Sequence, residues 1–96
     1  MTDKKFEKVA AYIGLCQRAG AVLYGEDAIE NKFKSAKLIL VDKEASEKYT
    51  ARIHKKFDVL PIFEFEGLRK ALHKEAVNAV AITNESLANA IIDILR

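Results

Sequence analysis

The sequence predicts an α/β protein, a three-layer α/β/α sandwich with elements in the order αβαβαβαβα. Three observations predict it. Apolar spacing switches between helical and strand-like along the whole chain. Two strand candidates, Leu38-Ile39-Leu40-Val41 and Ala79-Val80-Ala81-Ile82, are apolar without interruption, the pattern of strands covered on both faces. No repeat, linker or low-complexity stretch interrupts the 96 residues, so a single domain, 1–96, is expected. Strands alternating with helices imply a mostly parallel or mixed sheet with helices on both faces.

The first helix is predicted over 4–18, where Phe6, Val9, Ala10, Ile13 and Cys16 recur on one face. Gly20 stands where a left-handed residue would close it. Residues 21–24 read as a short strand, and Gly25 turns the chain into a second helix over 26–34 that buries Ala28, Ile29 and Phe33. The strand over 37–41 ends at Asp42. Either Asp42 or Ser46 caps a third helix reaching Phe57, with Ala45, Tyr49, Ile53 and Phe57 as its inner stripe. Residues 59–65 read as a third strand, and Pro61, which has no N–H to donate, places it at an edge or puts the proline early in the strand. A short helix over 67–73 and the strand over 79–82 follow. Thr83 or Asn84 then caps a last helix that turns Leu87, Ile91, Ile94 and Leu95 inward.

Composition excludes several classes. No apolar run approaches the ~20 residues that cross a bilayer, and Lys4-Lys5 precede no signal-peptide core. A cytoplasmic protein without a membrane partner is expected. The single cysteine cannot form an internal disulfide, and Cys16, His54 and His73 stand too far apart for a metal-ligand spacing. No metal and no cofactor are expected. The net charge of +2 is weak for a nucleic-acid binder, so the placement of charge counts for more than its sum.

Catalytic signatures are missing from the strand-to-helix loops, where an α/β enzyme carries them. The four glycines make no GxGxxG or Walker pattern, and no Ser or Cys sits in a nucleophile elbow. Cys16 falls on the inner face of the first helix and is read as core. His54 falls on an outer helix face and is read as solvated. His73 lies in the turn before the last strand, within reach of a ligand, although a surface histidine is the simpler reading. Glu26 and Asp27 in a helix's first turn complement the dipole there, each contributing ~0.3–1 kcal/mol. The chain is therefore expected not to be an enzyme. Basic residues gather at Lys32, Lys34 and Lys37 and again at Lys48, Arg52, Lys55 and Lys56, the second set reading as a solvated helix face.

Gly14-Leu15-Cys16-Gln17-Arg18-Ala19-Gly20, Val22-Leu23-Tyr24-Gly25-Glu26-Asp27 and Ser35-Ala36-Lys37-Leu38-Ile39-Leu40-Val41-Asp42 follow one another in a recognisable succession. With Gly67-Leu68-Arg69-Lys70-Ala71-Leu72 and Ala79-Val80-Ala81-Ile82-Thr83-Asn84, it resembles the ribosomal L-seven-Ae / L-thirty-e superfamily of kink-turn RNA-binding proteins, in its bacterial YlxQ-like branch. The resemblance spans nearly the whole chain. It implies a mixed four-stranded sheet, no enzymatic activity, and a ribonucleoprotein role with ribosomal RNA or a kink-turn RNA as partner. Ribosomal or translation proteins are implied as further partners, and DNA is not. It also implies that the amino end of the second helix contacts the RNA while the loop before the last strand covers an extruded nucleotide. An opened RNA offers base edges that a regular A-form major groove hides.

Carried onto this chain, the RNA-binding residues implied are Gly25, Glu26, Asp27, Ala28, Asn31, Lys32, Lys34, Lys37, His73 and Lys74. Ribosomal members have an asparagine–glutamate pair where this chain has Asp27-Ala28, a lysine at Asn31, and a basic residue at Ala21. An ionised aspartate only accepts hydrogen bonds, whereas asparagine also donates. At ~1–3 kcal/mol for each base-reading group, the exchanges imply weakened kink-turn affinity. They leave a second expectation open: a protein-interaction module that kept the fold and lost its RNA.

Overall fold

The computed structural model describes residues 3–96. The chain runs α1 (Asp3–Arg18), β1 (Val22–Tyr24), α2 (Glu26–Asn31), a 3-10 turn (Phe33–Ser35), β2 (Leu38–Asp42), α3 (Glu47–Lys56), β3 (Ile62–Phe65), α4 (Leu68–Leu72), β4 (Ala79–Ile82) and α5 (Glu85–Leu95). The four strands form one mixed sheet in the order β1-β4-β2-β3. β4 runs antiparallel to both neighbours, pairing Val22 with Ile82 and Val41 with Ala79. β2 and β3 run parallel, Ile39 beside Ile62 and Asp42 beside Phe65.

The two central strands, β2 and β4, are buried along their whole length, which is why their sequences do not alternate. Their side chains instead divide between two cores. Leu38, Leu40, Val80 and Ile82 face a core closed by Val9, Ile13 and Cys16 of α1, Leu68 and Leu72 of α4, and Ala88, Ile91 and Ile92 of α5. Ile39, Val41, Ala79 and Ala81 face the other, closed by Ile29 of α2 and Ile53 of α3. Fully burying each such Leu, Ile or Val stabilises the fold by ~1.5–3 kcal/mol. Three layers result, with α1, α4 and α5 on one face of the sheet and α2 and α3 on the other.

Several boundaries move from their expected places, each for a local reason. α2 stops at Asn31, and the tighter 3-10 turn brings Phe33 onto Phe57, ring centroids 5.8 Å apart. Ser46, not Asp42, caps α3, its hydroxyl accepting from the Tyr49 N–H at 3.1 Å. β3 begins only at Ile62. Leu60 is held in a turn by its bond to the Phe57 carbonyl, and Pro61 contributes its carbonyl alone, to Ile39 N–H at 2.9 Å. Asn84 rather than Thr83 caps α5, and that helix buries Ala88 and Ile92 beside Ile91, leaving Leu87, Ile94 and Leu95 partly covered.

Candidate functional site

Because β4 is antiparallel to its neighbours, its first residue lies at the end of the sheet where β1, β2 and β3 finish. The β1–α2 turn and the loop from α4 to β4 therefore meet. Gly25 N–H donates to the Ala79 carbonyl at 2.9 Å, locking the turn against the start of β4. Gly25 adopts φ 87° and ψ 163°, a region open essentially to glycine alone. A Cβ placed there would meet nothing within 4 Å. The glycine is thus required by backbone conformation, and the surface over it stays open to close approach.

The facing loop begins with a strained residue. α4 ends in a Schellman motif: His73 N–H donates to the Lys70 carbonyl at 3.2 Å and Lys74 N–H to the Arg69 carbonyl at 3.1 Å. The left-handed position, normally a glycine, is His73 at φ 58°. Among the described residues it is the one non-glycine with positive φ, a conformation that costs roughly 1–2 kcal/mol. Arg69 fixes the loop's other end. Its Nε donates to the Val77 carbonyl at 3.1 Å and its Nη2 to Asn78 Oδ1 at 2.6 Å.

Asp42 explains how a carboxylate survives at the end of a buried strand. One oxygen accepts from Glu44 N–H at 2.8 Å and the other from Arg69 N–H at 3.1 Å, with the Arg69 Nε 4.0 Å away. A third link crosses from α1. Gln17 Nε2 donates to the Leu72 carbonyl at 3.0 Å and to the Tyr24 hydroxyl at 3.2 Å, while Lys74 Nζ lies 5.1 Å from the centre of the Tyr24 ring. Helix, strand end and loop are joined by one set of side chains.

The structure brings Gly25, Glu26, Asp27, His73 and Lys74 to this end of the sheet, and it separates the lysine cluster from them. Lys37 N–H donates to the carbonyl of Ile82, the last residue of β4, about 10 Å of strand away from Ala79. Lys32 and Lys34 lie beyond α2 on the way to Lys37 and are exposed, as is Asn31 on the last turn of α2. Ala28 is half-buried and Asp27 exposed.

Glu26 is already engaged. Its carboxylate accepts from Arg52 and from Lys56, each at 3.0 Å, and Lys56 also reaches Glu30 at 2.6 Å. Those hydrogen bonds, from Lys56 and then Arg52, hold the Glu26 carboxyl below its ordinary pKa, and Glu30 and then Glu26 hold Lys56 above its own. Two of the four basic residues of α3 are thereby committed to ion pairs within the chain, at its surface. Cys16 is fully buried, and burial pushes its thiol up.

Gln17, Tyr24 and Arg69 escape a reading of the sequence. Tyr24 alone leaves a trace, an aromatic at a strand end that the structure leaves exposed. The partners of Gln17 and Arg69 become visible only once the chain is folded.

No family model matches the chain. It is 31% identical to the RNA-binding protein YlxQ of Bacillus subtilis (strain 168), over a 90-residue alignment covering 86% of this chain and 90% of that protein. Two solved structures superpose closely. One is a protein of unknown function from Bacillus halodurans, with TM-score 0.82 at 16% identity, covering 92% of this chain and 96% of that one. The other is the Giardia lamblia 15.5kD RNA binding protein, with TM-score 0.75 at 11% identity, covering 99% and 88%. At such identities the two structures speak for the fold alone. The identity to YlxQ extends through most of both proteins, and the chain belongs to the YlxQ branch of the ribosomal L-seven-Ae / L-thirty-e superfamily.

Proposed function

We propose that this chain is a non-catalytic, cytoplasmic RNA-binding protein, a single domain over 1–96 that holds a structured RNA of ribosomal or kink-turn type. The contact surface in this reading is the end of the sheet where β1 finishes and β4 begins. The observation that carries it is the pair of contacts that bring the open glycine turn beside the His73-Lys74 loop, Gly25 N–H to the Ala79 carbonyl and Lys74 Nζ over the Tyr24 ring. The name of the Bacillus subtilis relative supports the choice of RNA. Lys74 supplies positive charge, Tyr24 an exposed ring, and the backbone over Gly25 room for a base or ribose to approach.

Asp27 and the engaged Glu26 put acid beside that surface, so binding is weak at physiological salt and strengthens as salt is lowered only in proportion to the few phosphates its cations neutralise. The test is titration of a kink-turn RNA at several salt concentrations. Lys74→Glu is expected to weaken binding, and Lys34→Glu, near the other end of the sheet, to matter much less. An absence of binding to any structured RNA at low salt contradicts the reading.

The closure of Glu26 by Arg52 and Lys56 favours a second reading, a protein-interaction module built on the same fold. It predicts a protein partner, ribosomal or of the translation apparatus, retained after nuclease treatment.

A further inference from the structure

A groove of about 350 Å³ runs between α1 and α4 and opens beside the His73 loop. Its floor is small and apolar: Ala10, Gly14 and Ala71. Arg18 and Lys70 stand on its two walls, both exposed, and the polar side chains of Gln17 and His73 close the end toward Tyr24. The Arg18 guanidinium folds back along α1 over Gly14, where a Cβ would sit 3.6 Å from its Nη1, in ordinary van der Waals contact. Lys70 Nζ is held 5.6 Å above the ring of Phe6, which aims it across the groove.

The absence of a carboxylate from its lining distinguishes this groove, while its two cations equal the net charge beside the amino end of α1, where Lys4, Lys5 and Lys8 surround Asp93. Three other surface grooves carry carboxylates in their walls: Glu64 and Glu66 beside β3, Glu47 and Glu64 between α3 and β3, and Asp93 beside the amino end of α1. The α1–α4 groove has two cations and no acid. It lies on the sheet face opposite α2, and the His73-Lys74 loop bridges it to the Gly25 turn.

We propose that the groove carries the sugar–phosphate backbone of an RNA segment flanking the part held at the Gly25 turn, with Arg18 and Lys70 each neutralising a phosphate. This rests on the RNA-binding reading above and extends it, because the RNA then straddles the end of the sheet and touches both outer layers. A polyanion fits where a basic protein segment does not, since the groove offers cations and an apolar floor without a carboxylate to pair a basic partner. The segment's sequence is not read here, because phosphate contacts position a nucleic acid without specifying it.

The experiment compares the wild-type chain with Arg18→Gln/Lys70→Gln on two RNAs, a kink-turn with both flanking stems and the same turn with its stems cut to the minimum. Loss of two phosphate contacts lowers the slope of log K against log salt by roughly 1.4–1.8, and weakens the stemmed RNA on the order of tenfold near 0.1 M salt. The trimmed RNA is expected to bind wild type and variant alike. The single variants, each expected to give half the slope change, keep the test decisive if the double variant folds poorly, which thermal melting reports. Unchanged affinity of the double variant for the stemmed RNA, with Lys74→Glu still weakening it, overturns this proposal and leaves the RNA reading standing. Failure of the wild type to bind either RNA overturns both.

Discussion

At one end of the sheet, where β1, β2 and β3 finish and β4 begins, Gly25, Gly67 and His73 all hold positive φ and a carboxylate, Asp42, is buried. At the other end, Gly20 alone among the described residues has positive φ, and the connections extend regular hydrogen bonding: Thr83 N–H to the Ala21 carbonyl at 3.0 Å and Lys37 N–H to the Ile82 carbonyl at 2.8 Å. The first end is held by side chains reaching far along the sequence, Gln17 to the Leu72 carbonyl and Asp42 to the Arg69 N–H among them. The second is held by neighbours and caps. Of the positive-φ residues only His73 is strained, and strain and buried charge persist only where surrounding structure over-determines them, which supports placing the proposed RNA surface at this end. Lys37 stands at the opposite end, with Lys32 and Lys34 on the way to it, and all three are exposed.

Substituting glycines at both ends gives the largest expected contrast. In Gly67→Ala the new methyl would lie 2.7 Å from Cε1 of Phe6, a ring that stacks on Phe65. Left-handed strain and overpacking together destabilise the protein by about 3 kcal/mol. Gly20→Ala has the same backbone strain with nothing within 4 Å, and is expected to cost about 1 kcal/mol. Chemical denaturation of the two variants measures the difference, and equal losses would dissolve the contrast.

His73→Gly is the next in size and has the opposite sign. Relieving the left-handed strain is expected to raise stability by up to about 1 kcal/mol, while the loss of the imidazole from the loop weakens RNA binding. A gain in both properties would mean that the strain at His73 serves nothing at this surface.

The smallest effect concerns the Glu26 cluster. Lys56 and Arg52 depress the Glu26 pKa in the folded protein, so the stability they confer is present above the ordinary carboxylate range and is lost as pH falls through the lower folded value. Thermal melts of Glu26→Gln should therefore fall slightly below wild type at neutral pH and converge with it in acid. A difference that persists unchanged into strong acid would show that the ion pairs are not its source.

The order of elements was legible because local signals carry it: solid apolar runs for β2 and β4, caps narrowed to Asp42 or Ser46 and to Thr83 or Asn84, and Pro61 marking an edge or the start of a strand. The early stop of α2 was not, since Phe33 is drawn into the 3-10 turn by Phe57, a partner that sequence spacing does not reveal. The same holds at the site. Gly25 and the His73-Lys74 loop could be picked out as motifs, yet their meeting depends on the antiparallel placement of β4. Lys32, Lys34 and Lys37 sit close to Gly25 in sequence, and a short helix carries them toward the far end. Glu26 read as a dipole-complementing acid, and its partner Arg52 lies 26 residues away. With a net charge of only +2, RNA was legible through family resemblance and not through electrostatics.

Amide chemical-shift mapping of the isotope-labelled chain during titration with a kink-turn RNA tests the central claim most directly. The account predicts that the largest perturbations fall on Gly25, Asp27, His73 and Lys74, with Lys37 and Thr83 nearly unmoved. Perturbations centred on Lys37 and Thr83, or none at any RNA concentration in low salt, would contradict it.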